Sequence, residues 1–224
     1  MVRPIRSYVL RQGRITPAQK RGLDELLPRY GIGFSNQLLK FPEVFGRKAA
    51  VVLEIGSGMG ETTIEIANTH PEADFIAVEV HGPGVGSLLN AIEKSKLANL
   101  RVIRHDAAEV LEHMIPDDTL AAIHLFFPDP WPKKRHHKRR LVQPEFAALA
   151  ASKLAPAGVL HAATDWPEYA DQMAAVFSEN HGLEKTERGF ALRPATKFES
   201  RGKRLGNPIR DLFFRRRETA RAAR

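Results

Sequence analysis

Apolar stretches alternate with amphipathic ones from about residue 49 to residue 180, and the two kinds predict different elements. The apolar runs at 49–55, 74–80, 100–105, 120–127 and 158–164 have the length and density of strands buried on both faces. Between them Val85, Leu88, Leu89 and Ile92 fall at i, i+3, i+4 and i+7, and Phe146, Leu149, Ala150 and Leu154 at i, i+3, i+4 and i+8. Each set gives a helix one apolar stripe. Pro144 suits the start of the second helix, while Pro156 and Gly158 predict its end before the next strand. Tyr169, Met173, Val176 and Phe177 mark a further helix. Strands and helices in strict alternation predict an α/β fold, a doubly wound and mostly parallel sheet with right-handed crossovers. Ligands of such sheets bind beyond the carboxyl ends of the strands, so residues at those ends carry the functional signal.

Charge adds a second pattern. The chain has 224 residues and a net charge of +8, unevenly spread. Residues 1–30 carry seven Lys or Arg against two acids, and residues 201–224 carry nine against two, which leaves 31–200 with a net charge of −4. That acidic body nevertheless contains six cations between Lys133 and Arg140. Basic ends and one basic segment around an acidic body predict a polyanionic partner gripped at defined places. The division expected is a basic arm at 1–30 and a single domain at 31–224 with a basic C-terminal segment. No stretch is apolar enough for a leader or a membrane span, so a cytoplasmic location without membrane attachment is expected. The absence of cysteine removes disulfides, thiolate metal sites and cysteine nucleophiles, and the nine histidines show no metal-ligand spacing, so no metal is expected.

The first strand runs into Glu54-Ile-Gly-Ser-Gly-Met-Gly60, with a helix predicted from about Glu61. Gly56, Gly58 and Gly60 allow a tight turn and a close approach of backbone to ligand. Glu61 stands where a nicotinamide dinucleotide fingerprint has Gly or Ala, and its carboxylate would oppose a pyrophosphate. The loop therefore suits a ligand without phosphates. Glu79, at the second strand end, is placed to accept two ribose hydroxyls, and Asp106, at the third, to meet an adenine amino group. Plainer roles compete: Asp106 with Glu109 has the spacing of a capping box, and Glu79 could be a solvated strand end. The ordered set resembles the class I methyltransferases that use S-adenosylmethionine. That resemblance implies a Rossmann-like sheet of seven strands with an antiparallel final strand. It also implies that Glu54 and the Gly56–Gly60 backbone hold the methionine portion, Glu79 the ribose and Asp106 the adenine.

The fourth strand breaks at Pro128-Asp-Pro-Trp-Pro132, where three prolines fix Asp129 and Trp131 with little freedom left to lose on binding. A carboxylate beside an aromatic face can accept a base. Leu125-Phe-Phe-Pro-Asp-Pro-Trp131, Arg135-His-His-Lys-Arg-Arg140, Ala163-Thr-Asp-Trp166 and Thr196-Lys-Phe-Glu-Ser-Arg-Gly-Lys-Arg-Leu-Gly206, with Val80-His-Gly-Pro-Gly-Val-Gly86 and the stretch from Arg6 to Thr16, resemble the bacterial tRNA (guanine-N7-)-methyltransferases over nearly the whole chain. The resemblance implies methylation of guanine N7 at position 46 in the variable loop of tRNA. It gives Asp129 the catalytic role and a place beside the cofactor. It assigns Lys133, Asp165, Thr196, Lys197, Phe198 and Glu199 to the substrate, and Arg135, His136, His137, Lys138, Arg139 and Arg140 to RNA contact. Asp165 with Glu168 also has capping-box spacing. Pro132 and Asn207-Pro-Ile-Arg210 depart from the family pattern, where His, and His with Trp, are common. The alternative is a methyltransferase acting on another RNA base or an exocyclic amine; cytosine C5 is excluded by the missing cysteine.

Overall fold

The computed structural model describes residues 6–8, 13–191, 193–194 and 208–218. Its strands are β1 (Val51–Ile55), β2 (Asp74–Val78), β3 (Leu100–Ile103), β4 (Leu120–Phe126), β5 (Leu154–Thr164), β6 (Leu183–Lys185) and β7 (Arg210–Arg216). They form one sheet in the order β3-β2-β1-β4-β5-β7-β6, parallel except for β7, which runs antiparallel to both neighbours. Every residue of β1 and β2 is buried, which is what near-continuous apolar runs require of a sheet covered on both faces.

Alternate strand residues divide the core in two. Val51, Leu53 and Ile55 face α6 (Ala107–His113), α7 (Pro144–Lys153) and α8 (Pro167–Glu179). Val52, Phe75 and Ala77 face α4 (Glu61–Thr69) and α5 (Gly82–Ser95). A helical run from Pro17 to Tyr30 covers α5; it is α-helical at Pro17–Arg21 (α1), π-helical at Gly22–Leu26 and α-helical again at Leu27–Tyr30 (α2). A Cβ on Gly86 would lie 2.3 Å from the Gln19 carbonyl, so only glycine lets α1 approach α5 this closely. The Gln19 amide donates to Ser87 at 3.0 Å across the same contact. Phe41–Phe45 forms α3.

β1 and β5 end where their apolar runs do, at Ile55 and Thr164, but the other three predicted strands end earlier. β2 stops at Val78 and β3 at Ile103, which leaves Glu79, His105 and Asp106 in the loops beyond. β4 stops at Phe126 because Phe127 adopts a left-handed φ of 51°. At α7 the expectation fails differently: the helix ends at Lys153, and Leu154, assigned above to its apolar stripe, opens β5 opposite Leu120. A register shift follows, Ala122 pairing with Val159, so Pro156 and Gly158 sit in an irregular strand start and do not end the helix. Asp165 does not cap α8 either; Trp166 occupies the N-cap without a side-chain bond, and the Thr164 hydroxyl accepts the Trp166 N–H.

Candidate active site at the carboxyl edge of the sheet

Loops after β1, β2, β3 and β4 enclose a cleft of about 270 Å³, walled by Gly56, Glu79, His81, His105, Phe126 and Asp129 among others. Gly56, Gly58 and Gly60 have φ values of 74°, 56° and 84°. Gly60 is doubly constrained, since a Cβ there would also lie 2.4 Å from Leu88 Cδ1 of α5. The buried Glu79 carboxylate accepts the Gly58 N–H and the His81 N–H, each at 2.8 Å, and so ties the glycine loop to the end of β2. It is not a solvated strand end.

Glu54 lies beneath the same loop, 5% exposed. Burial pushes its carboxyl up to about 7, with Thr63 opposing the shift and the Glu79 charge adding to it. A carboxyl held near neutrality under a polar loop is suited to a ligand that brings its own positive charge. Asp106 caps α6 by accepting the Ala108 N–H at 2.9 Å, and Glu109 bonds to His105 instead of completing a capping box. His105 and Ala107 line the cleft, while Asp106 faces an adjoining recess with Lys138, Arg139 and Leu141.

The proline turn follows β4. Asp129 lines the cleft, and burial raises its carboxyl pKa. Asp165, next to the carboxyl end of β5, lies at the same edge, because β4 and β5 are parallel neighbours paired to Phe126 and Ala163. Trp131 adopts a left-handed φ of 45° and is held from two sides: its indole Nε1–H donates to the Ser7 carbonyl at 3.0 Å, and the Arg139 guanidinium lies 5.0 Å from its ring.

Lys134–Arg139 forms a short 3-10 helix leading away from the turn. Lys133, Lys134, Arg135 and Lys138 are exposed, and His136, His137 and Arg139 partly so. Arg140 departs from the contact expected of this run: it is 2% exposed. Its Nε donates to the Pro130 carbonyl at 2.8 Å, one terminal nitrogen to Gln172 at 2.5 Å, and its guanidinium lies over the Tyr169 ring. Thr196, Lys197, Phe198 and Glu199 lie outside the described residues.

Three residues of the site had no role assigned from the sequence, although Ser7 and Tyr8 lie in the stretch from Arg6 to Thr16 that shares in the family resemblance. Ser7 and Tyr8 close one side of the cleft, and burial followed by the Asp106 charge raises the Tyr8 hydroxyl pKa. Phe34 stacks on His105 with ring centroids 3.7 Å apart. Among the described residues no group of His, Asp and Glu gathers as metal ligands would, and no helix is long and apolar enough to cross a membrane.

Similarity to known proteins agrees with this geometry. A family model described as "Putative methyltransferase" matches residues 48–212. A tRNA (guanine-N(7)-)-methyltransferase of Nitrosomonas eutropha is 57% identical over 94% of this chain and 96% of its own length. One of Aromatoleum aromaticum is 56% identical over 96% of this chain and 85% of its own. The chain belongs to the tRNA (guanine-N(7)-)-methyltransferase family. Solved structures agree on the fold: the 16S rRNA methyltransferase KamB matches with a TM-score of 0.57 and 18% identity over 80% of this chain and 93% of that one. A 16S rRNA (adenine(1408)-N(1))-methyltransferase from Catenulisporales acidiphilia with the cosubstrate SAM matches at 0.55 with 14% identity, over 82% and 92%. The methyl donor of this family, S-adenosylmethionine, suits the cleft, whose open-faced glycine turn and apolar Phe126 wall, with the buried Glu54 two residues before Gly56, ask for an uncharged or cationic ligand with one polar end.

Proposed function

We propose that this protein transfers the methyl group of S-adenosylmethionine to N7 of a guanine in tRNA, at position 46 of the variable loop, and acts in the cytoplasm where tRNA matures. The observation that carries the reading is the meeting at one sheet edge of the donor cleft, the fixed Asp129 carboxylate and a run of exposed cations.

The donor supplies a methyl group on a positively charged sulfur. Glu54 and the glycine loop hold its methionine portion, Glu79 its ribose, and the His105–Asp106 loop its adenine. Guanine N7 has an in-plane lone pair and no proton, so transfer needs no base; the nitrogen must sit in line, about 3 to 3.5 Å from the methyl carbon. Asp129, aided by Asp165, accepts hydrogen bonds from the guanine N–H groups and offsets the positive charge that develops on the ring. Lys133 and the exposed residues of 134–139 bind phosphates, and Arg140 braces the turn from within. Residues 1–30 serve as a basic arm, with Trp131 anchoring its Ser7 carbonyl beside the cleft. Thr196, Lys197, Phe198 and Glu199 complete the substrate contacts in this reading.

The test is incubation with unmodified tRNA and methyl-labelled donor, followed by mapping of the modified base. Label at N7 of guanine 46 is expected. Label on adenine, on cytosine or on an exocyclic amine would replace this proposal.

A further inference from the structure

Behind the proline turn, on β5 and β7, lies a polar cluster to which neither the sequence nor the family resemblance assigns a role. The Asp211 carboxylate receives a forked pair of bonds from Arg193, Nε at 3.0 Å and a terminal nitrogen at 3.2 Å. His161 Nε2 lies 2.7 Å from the same carboxylate. Burial pushes the Asp211 carboxyl up, but the His161 and Arg193 partners outweigh it and hold it down at about 2, so the carboxylate is ionised and the His161 Nε2–H donates.

Both partners of Asp211 reach the joint where β4 becomes the turn. The Arg193 side chain is 7% exposed, and its guanidinium lies 5.4 Å from the centre of the Phe127 ring. The buried His161 ring packs edge-on against Phe126, with centroids 4.8 Å apart and planes at 77°. Phe126 and Phe127 both line the donor cleft, and Asp129 follows two residues later. Phe127 also holds a left-handed φ of 51°, a conformation that costs a non-glycine residue energy and persists only where its surroundings enforce it. Its N–H donates to the Ala163 carbonyl at 2.8 Å, and Ala163 is the residue paired with Asp211 across β5 and β7.

We infer that Asp211 is a positioning residue for methyl transfer: through Arg193 over Phe127 and His161 against Phe126 it fixes the joint that aims Asp129 into the cleft. Asp211 touches neither reactant in this arrangement. The carboxylate suits the task because it can accept a planar fork and an imidazole together, which an amide cannot do without turning an N–H toward a donor. The inference rests on Asp129 as the group that orients the guanine.

The experiment compares single-turnover methyl transfer by Asp211→Asn, Asp211→Glu and Arg193→Lys enzymes, with Phe127→Leu and the Asp211→Asn/Phe127→Leu double variant. A misaimed turn slows transfer by about tenfold or more, since small misplacements of reacting groups are costly. Asp211→Asn and Arg193→Lys are each expected to lose that much rate with the KM for S-adenosylmethionine changed less than about twofold, while Asp211→Glu recovers most of it. Adding Asp211→Asn to Phe127→Leu should cost little more, because the joint it acts through is already altered. Should Asp211→Asn fail to fold, Arg193→Lys carries the same test. Wild-type rates in Arg193→Lys, or Asp211→Asn losses that multiply fully with those of Phe127→Leu, overturn the inference. If wild-type product is N7-methylguanine and Asp129→Asn is slow while these variants are fast, the proposed function stands and only the positioning role falls.

Discussion

The Trp131 indole Nε1–H donates to the Ser7 carbonyl at 3.0 Å, joining residues 124 positions apart and bringing the N-terminal segment against the proline turn. Ser7 and Tyr8 line the donor cleft, so this one bond couples the wall of that cleft to the turn that carries Asp129.

Trp131→Phe keeps a ring under Arg139 but removes the donor. A hydrogen bond of this kind contributes about 0.5 to 1.5 kcal/mol, so the KM for S-adenosylmethionine should rise about two- to tenfold with a smaller effect on kcat. Steady-state kinetics with varied donor checks this; an unchanged KM would remove the link between segment and cleft.

Glu54 predicts a pH dependence. Its carboxyl stands raised, near 7, so in the folded, donor-free protein it is neutral below that pH and ionised above it. The sulfonium favours the ionised form, so donor affinity should strengthen as pH rises through about 7, with uptake of the ligand releasing a proton. For stability the sign is opposite: a folded pKa above the unfolded value of about 4.5 means the contribution is full below 4.5 and is lost as pH climbs through 7. Calorimetric titration from pH 5.5 to 8.5 should show the slope in the natural protein and a flat line in Glu54→Gln.

His124 gives the mirror case. Burial, with His161 and His70 nearby, pulls its pKa down to about 3, and neither ring nitrogen has a hydrogen-bond partner among the described residues. Because the unfolded chain protonates near 6.5, stability is full above 6.5 and falls as pH drops toward 3. Denaturant unfolding at pH 7 and pH 4.5 should show His124→Leu losing less between the two than the natural protein. At pH 7 the substitution should be near neutral or stabilising, since it removes unpaired buried polar atoms.

The cationic segment divides. Neutralising Lys133, Lys134, Arg135 and Lys138 together should weaken tRNA binding and lower the slope of log K against log salt by about 0.7 to 0.9 for each phosphate no longer neutralised by a cation. Arg140→Ala should leave that slope unchanged and lower the melting temperature and kcat instead, because Arg140 is buried and bonded to Pro130 and Gln172. Binding isotherms at three salt concentrations separate the two behaviours.

What the sequence revealed followed from what local pattern can encode. Runs and periods of apolar residues located β1 to β5 with α5, α7 and α8, and glycines next to Glu54 located the donor loop. The start of β5 escaped because its irregular opening is set by pairing with Leu120, not by the Pro156 and Gly158 that punctuate it. Burial of Arg140 escaped because a run of six cations between Lys133 and Arg140 looks uniform until Tyr169, from a helix far along the chain, supplies a face for one of them. Ser7, Phe34, Arg193 and Asp211 escaped for the same reason: each matters through a partner distant in sequence, and no spacing rule records that.

Asp129 carries the proposed mechanism. A single-turnover experiment with S-adenosylmethionine and tRNA both bound at saturation should show Asp129→Asn slower than the natural enzyme by about 10² to 10³, the usual cost of removing one preorganised group that stabilises developing charge. Binding of tRNA and donor should be unchanged within about twofold, as expected when an interaction made mainly in the transition state is removed. Transfer at the natural rate by that variant, with both ligands bound normally, would contradict the mechanism.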